Sequence, residues 1–269
     1  MEPHNRKIRS AKTILKQYTN YNRKYVFFSG GKDSIVCLDL ANQILEDFKI
    51  IYIHITGNTH PKCDKFVEKV ADEYNKELIT LKSQYDFFDI LQKYGYPGIL
   101  WKGSRWCLNW FKDRVIKEYE KTNPIYVSIA GSKAFDSRRR MILSKQKGVR
   151  ISKKHGWGLI QLYPLWNWTH NDVYAYLEEN SLPLNELYRK INSSGNCVFC
   201  PAMRKKTFML IKCYCPEFFC KWIRAHRNLR KDYQNGCLRG LRTVFHKFDR
   251  LYDCLLYTSD AADEGLGVD

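Results

Sequence analysis

The chain has 269 residues, of which 44% are hydrophobic and 14% aromatic, enough for one large α/β domain or a domain with an appendage. Its formal net charge of +17 indicates an anionic partner or a generally basic proteome. No run approaches the roughly 18 apolar residues that span a bilayer, and the N-terminus has no secretory hydrophobic region. We therefore expect a cytoplasmic protein without a membrane partner.

The first predicted strand leads into a glycine-containing loop. Residues 1–23 are basic with a weak helical pattern, residues 25–28 are an apolar run of strand length, and apolar residues recur at helical spacing over 35–45. The two glycines of the intervening loop allow a sharp turn that exposes successive N–H groups, and the following helix adds its positive end. A plain strand-to-helix turn would explain the glycines but not the polar residues around them. The sequence thus predicts a phosphate-binding loop formed by Ser29, Gly30, Gly31, Lys32, Asp33 and Ser34.

Further strands and helices alternate along the chain. Strands are predicted over 49–55, 77–81, 124–130 and 158–165, the last at a sheet edge because of Pro164. Helices are predicted over 66–74, 87–94, 104–117 and 169–180, the last with Thr169 as N-cap and Asp172 at the capping-box position. This alternation predicts an α/β fold with a doubly wound parallel sheet, helices on both faces, and ligands at the carboxyl ends of strands.

Polar residues follow two of these strands at their carboxyl ends. After the second strand come His54, Thr56 and Gly57, for which a core histidine and a simple turn are the alternatives. After the fourth strand comes a Gly-Ser turn and a basic run, for which a solvated charge cluster is the alternative. We select from that segment, as anion-binding candidates, Gly131, Ser132, Lys133, Asp136, Ser137, Arg138 and Arg139.

Ten cysteines in a cytosolic chain suggest metal ligands or small core residues rather than disulfides. Cys197 and Cys200 form a C-x-x-C-P loop, which could be an iron–sulfur or zinc half-site, a redox dithiol or chance. A thioredoxin-like dithiol is disfavoured because no βαβ start surrounds it. Residues 201–254 hold thirteen Lys and Arg against four acidic residues, interleaved with aromatics. That composition fits either a small helical cap or a surface for RNA or DNA.

Several motifs together resemble the phosphoadenylylsulfate (PAPS) reductase family of the ATP pyrophosphatase superfamily, over about residues 24–201. They are the loop 29–34, the Arg-Trp-Cys string ending at Cys107, the Gly-Ser-Lys…Asp-Ser-Arg segment beginning at Gly131, and the C-x-x-C-P loop. The block over 164–188 is also similar. Lys133 and Asp136 stand where the family usually has Arg and Glu, which keeps the charge but loses the planar bidentate contact of an arginine.

The resemblance implies an adenine-nucleotide α-hydrolase-like fold that binds PAPS, adenylylsulfate or ATP, the last with Mg²⁺. It assigns catalytic roles to Lys32, Asp33, Lys133 and Arg138, and brings Cys107, Cys197 and Cys200 together near the nucleotide. These three thiols would hold a [4Fe–4S] cluster or, alternatively, zinc, with a fourth ligand from Cys213, Cys215, Cys220 or a small molecule. Sulfonucleotide reduction or sulfur transfer is the implied activity.

Two other functions stay open. One is an ATP-dependent sulfurtransferase acting on tRNA or DNA, with a sulfur-carrier protein as a further candidate partner; the other is a non-catalytic nucleotide-binding module. The nucleophile segment Glu-Cys-Gly-Leu-His of true reductases does not occur in the sequence. We expect a lead-in over 1–23, a nucleotide-binding domain over 24–200 and a cap over 201–254. The tail over 255–269 resembles translated adapter sequence, so the natural C-terminus is expected to be missing.

Overall fold

A six-stranded sheet forms the centre of the protein, seen in a computed structural model that describes residues 3–98, 105–152, 157–237 and 242–263. Its strand order is β3-β2-β1-β4-β6-β5, and every neighbouring pair is parallel except β5 with β6. The strands are β1 Lys24–Phe27, β2 Lys49–His54, β3 Leu78–Lys82, β4 Val127–Ala130, β5 Val149–Ile151 and β6 Ile160–Leu162. The expected α/β sheet is therefore confirmed.

Helices cover both faces of the sheet. Alternate residues of β1 enter two separate cores, with Val26 and Phe28 in one and Tyr25 and Phe27 in the other. Because both faces are buried, the strands read as continuous apolar runs. The helices are α1 Pro3–Lys16, α2 Lys32–Asn42, α3 Pro61–Glu73, α4 Phe87–Tyr94, α5 Trp106–Leu108, α6 Arg114–Thr122, α7 Ile142–Lys145, α8 His170–Glu179, α9 Leu187–Ile191, α10 Lys205–Tyr214, α11 Pro216–Gln234 and α12 Arg242–Asp263.

The helix predicted over 104–117 is interrupted. A π-helical turn over Asn109–Asp113 joins α5 to α6. Such turns are rare and often lie at functional sites. The capping box that the sequence predicts at the start of α8 is confirmed, since the backbone N–H of Asp172 donates to the Thr169 hydroxyl and the Asp172 carboxylate accepts from the Thr169 backbone.

The strand predicted over 158–165 is present as β6, but its predicted position at a sheet edge is wrong. β6 lies inside the sheet, between β4 and the short antiparallel strand β5, which occupies that edge. Pro164 argued for an edge because proline cannot donate to a ladder, but β6 already ends at Leu162, so the proline lies beyond it. β5 was missed because a strand of three residues carries almost no periodic signal.

The predicted C-terminal helical cap is confirmed by α10, α11 and α12. Trp222 and His226 are fully buried, and the His226 imidazole hydrogen-bonds Tyr96 at 2.7 Å and Asp249 at 3.2 Å. Burial lowers the pKa of His226 to about 4, so the ring is neutral at neutral pH. Helix α12 reaches Asp263, while the side chains of 255–263 and all of 264–269 lie outside the described part of the chain. Within the described ranges, every helix is too short or too polar to cross a bilayer.

Candidate functional site

A cavity of about 300 Å³ opens at the carboxyl ends of β1, β2 and β4. The strand order reverses at β1, with β2 and β3 on one side of it and β4 on the other. Open α/β sheets bind their ligands at such a point. Apolar side chains of the strands line one part and polar groups line the rest. The lining residues are Phe27, Phe28, Ser29, Gly31, Asp33, Ser34, Ile51, Ile53, Lys112, Ala130, Gly131, Ser132, Asp136, Arg140, Tyr188, Ser194 and Asn196.

The loop of residues 29–34 is held in shape by one hydroxyl. The Ser34 side chain accepts hydrogen bonds from the backbone N–H groups of Gly31 at 3.1 Å and Ser29 at 3.3 Å, and donates to the Gly31 carbonyl at 2.8 Å. Gly30 has φ +69°, a left-handed conformation that glycine adopts without strain. Helix α2 begins at Lys32, within this loop, so its positive end faces the cavity.

Two residues from distant segments close around the loop. The backbone N–H of Lys32 donates to the Tyr188 hydroxyl at 3.0 Å, and burial raises the pKa of Tyr188 to about 12. Gly131 directly follows β4 and lies against the backbone of the loop. A Cβ at this position would lie 2.4 Å from the Asp33 carbonyl oxygen. Glycine at 131 is thus required by the close approach of two backbones. The sequence analysis did not assign Tyr188 to the site, because only the fold brings it to a loop 156 residues away.

Charged side chains form a chain of ion pairs beside the cavity. The Lys133 ammonium, 1% exposed, contacts the carboxylates of Asp33 and Asp136, the latter at 3.0 Å. Asp136 also accepts from the Arg140 guanidinium at 2.5 Å, and Lys32 lies 2.8 Å from Asp33. Three cations therefore share two carboxylates, which leaves this network net positive beside the cavity, whose lining includes Asp33, Asp136 and Arg140 but not Lys133.

The structure distributes the predicted basic residues differently from the sequence analysis. Lys32 does not line the cavity; its ammonium contacts Asp33 and His170 Nδ1 at 3.1 Å and is largely buried. Arg138 is exposed and outside the lining, whereas Arg140, which was not selected, is in it. The side chain of Arg139 lies outside the described residues. Ser137 caps the turn that positions Arg140, accepting from its backbone N–H at 3.3 Å.

The residues selected after β2 also lie outside the cavity lining. His54 Nδ1 is 2.9 Å from the Asp64 carboxylate, so it is a satisfied histidine at the strand end. The Thr56 hydroxyl donates to the Ser83 carbonyl at 2.6 Å, and Gly57 packs against the side chain of Asp86. These contacts tie β2 to the segment after β3.

Asp136 gives the site a testable pH dependence. Burial would raise the pKa of Asp136, but the hydrogen bond and charge of Lys133 outweigh it and hold that pKa below its usual value. A lowered folded-state pKa stabilises the fold above the ordinary aspartate pKa, and this stabilisation disappears as pH falls through the folded value. In urea denaturation between about pH 5 and pH 3, we expect Asp136→Asn to lose stability less steeply than the wild type. Asn substitution of the exposed Asp47 is the control, and equal slopes for both variants would contradict the assignment.

The selected cysteines lie on segments that pack together, because the Phe87 ring contacts both Trp106, which precedes Cys107, and Phe199, which precedes Cys200. Burial raises the pKa of Cys107, and the charge of Cys200 adds to that shift. Burial likewise raises the pKa of Cys197, with contributions from both Cys200 and Cys107. The charge of Lys112, which also lines the cavity, acts on Cys197 and Cys107 in the opposite direction. The thiol cluster of Cys107, Cys197 and Cys200 therefore lies within electrostatic range of a cavity residue.

Asn58, which the sequence analysis passed over, clamps the cysteine loop. This fully buried side chain donates to Cys197 Sγ at 3.2 Å and to the Phe199 carbonyl at 2.8 Å, and accepts from the Phe199 N–H at 2.8 Å. The adjacent Thr59 hydroxyl donates to the Asn196 carbonyl at 2.8 Å. The turn after β2 is thereby fastened to the C-x-x-C-P loop.

Removing the Asn58 clamp should loosen the cysteine loop. Asn58→Ala leaves the Phe199 backbone groups buried and unsatisfied, so we expect the free energy of unfolding to fall by about 2–4 kcal/mol. We also expect alkylation of Cys197 in the native protein, followed by mass spectrometry, to accelerate about tenfold, because local opening becomes easier. Asn123→Ala, at an exposed amide, is the matched control. Unchanged stability and labelling would show that the clamp is dispensable.

The thiol cluster suits a thiophilic metal in its chemistry, since soft thiolates favour iron–sulfur clusters and zinc. An N–H···S contact such as that from Asn58 is a common outer-shell feature of such sites. Among the described residues, however, no three His, Cys, Asp or Glu side chains are already arranged as a metal site. Cys215 is buried, and burial together with the charge of Glu217 raises its pKa to about 11. None of Cys107, Cys197 and Cys200 contributes to that shift.

A family model for the phosphoadenosine phosphosulfate reductase domain matches residues 23–203, about two thirds of the chain. The chain belongs to the PAPS reductase family. The match begins one residue before β1 and ends three residues after Cys200, so it includes both the loop 29–34 and the C-x-x-C-P loop. The family membership inferred from the sequence motifs is confirmed.

Known relatives agree with this membership. An uncharacterized protein of Methanocaldococcus jannaschii is 32% identical over 233 residues, covering 85% of this chain and 54% of its own length. The chain thus spans about half the length of that relative. Adenosine 5'-phosphosulfate reductase 2 of Bacillus subtilis is 27% identical, covering 68% of this chain and 75% of its own length. The crystal structure of a PAPS reductase from Candida auris, a phosphate complex, shares the fold with a TM-score of 0.50 and 21% identity, covering 70% of this chain and 92% of its own.

Proposed function

We propose that this PAPS reductase family member binds an adenylyl nucleotide, PAPS, adenylylsulfate or ATP, in the cavity at the carboxyl edge of the sheet and acts in sulfonucleotide reduction or sulfur transfer. The observation that carries the proposal is the loop 29–34, whose amides and helix end meet the ion-pair network of Lys133 at one cavity. The apolar lining from β1 and β2 suits the purine ring of such a nucleotide, while the loop suits the phosphates of the nucleotide.

Within that proposal, positive charge stabilises the phosphate or sulfate oxygens. Lys133 and Arg140 supply it next to the cavity, and Arg138 is one short turn away from Arg140. Lys32 acts indirectly, because its ammonium contacts and positions the carboxylate of Asp33. Asp33 and Asp136 are the cavity carboxylates that would hold Mg²⁺ with ATP, and the ion would neutralise charge on the departing pyrophosphate.

Sulfur chemistry is assigned to the thiol cluster. We propose Cys107, Cys197 and Cys200 as ligands of a [4Fe–4S] cluster, with zinc as the alternative. The support is the packing of their segments around Phe87 and the hydrogen bond that Asn58 donates to Cys197. Lys112 lines the cavity and acts on the thiols, so the sulfur site would lie beside the nucleotide rather than at a remote position.

One observation favours a second candidate, an ATP-dependent sulfurtransferase acting on tRNA or DNA. The loop keeps every element that a leaving pyrophosphate would use: the left-handed Gly30, the Ser34 hydroxyl that fixes the amides, and the start of α2. A loop that only anchored a sulfonucleotide would not need to stabilise a leaving group. A nucleotide-binding module without turnover is the third function left open.

The experiment is a binding and turnover comparison on anaerobically purified protein, with iron and zinc assayed. Calorimetric titration with ATP, adenylylsulfate and PAPS should show binding of at least one; no binding of any would overturn the proposal. With a dithiol reductant added as the electron source, sulfite released from a sulfonucleotide supports reduction. Pyrophosphate released from ATP supports sulfur transfer, and binding without release of either product supports the binding module. Cys197→Ser should lose bound metal, whereas Cys220→Ser, at an exposed thiol, should keep it.

A further inference from the structure

A second, larger cavity lies on the outer side of the sheet, between the edge strand β3 and helix α6. Its volume is about 660 Å³, against about 300 Å³ for the candidate nucleotide cavity. Nothing in the proposed nucleotide or sulfur chemistry uses it. Described residues that line it are Thr80, Leu81, Lys82, Ser83, Gln84, Tyr85, Trp110, Arg114, Val115, Glu118, Tyr119 and Thr122. We name it the β3–α6 groove.

Aromatic rings and one guanidinium form the wall of the groove. The Arg114 guanidinium lies 3.7 Å from the centre of the Trp110 ring, and Tyr85 meets the same ring edge-on at 4.7 Å between centroids. Tyr85 is 40% exposed, so part of its side chain remains accessible to a ligand. Flat aromatic surfaces with an adjacent arginine stack nucleobases of any sequence.

The charge at the groove is suited to an anionic chain. Lys82 and Arg114 are exposed at its rim. Glu118, an acidic lining residue, is ion-paired with Lys121 at 2.6 Å, so its charge is offset locally. The whole chain carries a formal net charge of +17, which attracts polyanions from a distance.

The position of the groove relates it to the nucleotide cavity. Its residues 82–85 begin at the carboxyl end of β3, and the nucleotide cavity lies at the carboxyl ends of β1, β2 and β4 in the same parallel sheet. Trp110 of the groove and Lys112 of the nucleotide cavity belong to one π-helical turn, Asn109–Asp113. The two cavities are therefore connected through this one turn, with Trp110 on the groove and Lys112 on the nucleotide cavity.

We propose that the β3–α6 groove binds an unpaired base of a single-stranded nucleic acid, with the exposed Tyr85 ring, supported by Trp110, as the stacking surface and Lys82 and Arg114 at the flanking phosphates. The inference goes beyond nucleotide binding and does not depend on turnover, although it would supply an acceptor for the sulfurtransferase candidate. A peptide strand added to the β3 edge is the competing occupant, but it would gain little from the stacked arginine and tryptophan.

The test measures fluorescence anisotropy of labelled single-stranded RNA and DNA 12-mers, and of a duplex, with the full chain and no added ATP. Tyr85→Leu should weaken single-strand binding by about five- to one-hundred-fold, the effect expected for one stacked base. Tyr126→Leu is a closely matched control, because Tyr126 is also 40% exposed beside an arginine, with Arg23 5.2 Å from its ring, but at the amino end of β4. We expect the control to stay within about twofold of the wild type.

A second variant keeps the proposal testable should Tyr85→Leu fold poorly. Arg114→Gln, at an exposed position, should reduce the slope of log affinity against log salt by about one, as expected for one lost phosphate contact. The proposal would be overturned if Tyr85→Leu bound single strands with wild-type affinity and Arg114→Gln kept the wild-type salt slope. It would also be overturned if the groove bound an extended peptide and no oligonucleotide. Preference for RNA or DNA identifies the natural ligand.

The result is independent of the proposed nucleotide function. Gly131→Ala, whose new Cβ meets the backbone of Asp33 and Ser34, should retain oligonucleotide binding even where ATP binding is lost. Loss of oligonucleotide binding in Gly131→Ala would place the strand in the nucleotide cavity instead and would contradict the groove.

Discussion

Gly131→Ala should reduce nucleotide affinity at least tenfold, about 1.4 kcal/mol. The new Cβ would lie 2.4 Å from the Asp33 carbonyl oxygen and 3.1 Å from the Ser34 backbone nitrogen. Both atoms belong to backbone, which cannot rotate away as a side chain can, so the loop must shift and its amides lose their alignment. The free energy of unfolding should also fall, by about 1–3 kcal/mol, as for other overpacked sites.

Calorimetric titration with the nucleotide that the wild type binds, together with urea denaturation, measures both effects. Gly236→Ala is the control, since its φ of +79° adds backbone strain but nothing lies within 4 Å of the new Cβ. That variant should lose some stability and keep its nucleotide affinity. Normal affinity in Gly131→Ala would show that the loop does not hold the phosphates in the arrangement described.

Lys133→Met should destabilise the fold by about 3 kcal/mol. The substitution removes the buried ammonium between Asp33 and Asp136 and leaves their carboxylates facing each other, and breaking a buried ion pair from one side commonly has an effect of this size. We take the lower end of the usual range because both carboxylates are partly exposed and keep Lys32 and Arg140 as partners. The destabilisation should shrink as pH falls below about 4, where the carboxylates become protonated.

Urea denaturation at neutral and acidic pH tests this expectation. Lys121→Met is the matched control, because the Lys121–Glu118 pair is similarly short, at 2.6 Å, but more than two-thirds exposed at both ends. An exposed pair contributes about 0–1 kcal/mol, so the control should change little at either pH. Equal effects of the two substitutions would mean that the network around Lys133 is not a buried one.

Local patterns were sufficient for much of the fold. The apolar runs predicted the long strands, because strands buried on both faces must be apolar throughout. The capping box at Thr169 was correct because its hydrogen bonds join residues three positions apart. The edge position of β6 was wrong, since neighbours in a sheet are chosen by the whole chain and β5 has only three residues.

The candidate site was predictable in its loop but not in its surroundings. The motif of residues 29–34 placed the cavity correctly because its glycines and hydroxyls act within six residues. Among the neighbouring arginines the sequence favoured Arg138, while Arg140 lines the cavity. The reason is geometric: the short turns Ala134–Asp136 and Arg138–Met141 decide which side chain points inward, and adjacent arginines are alike in sequence.

The sequence by itself determined the family, and it singled out the loop 29–34 and three cysteines as candidates, since each motif depends on residue types at short spacing. Only the tertiary structure placed Tyr188 on the loop, Lys112 in the cavity lining, and Asn58 on Cys197. These contacts join residues that are far apart in the chain, and their partners are selected by packing of the sheet and its helices. No local pattern of amino acids encodes such a pairing.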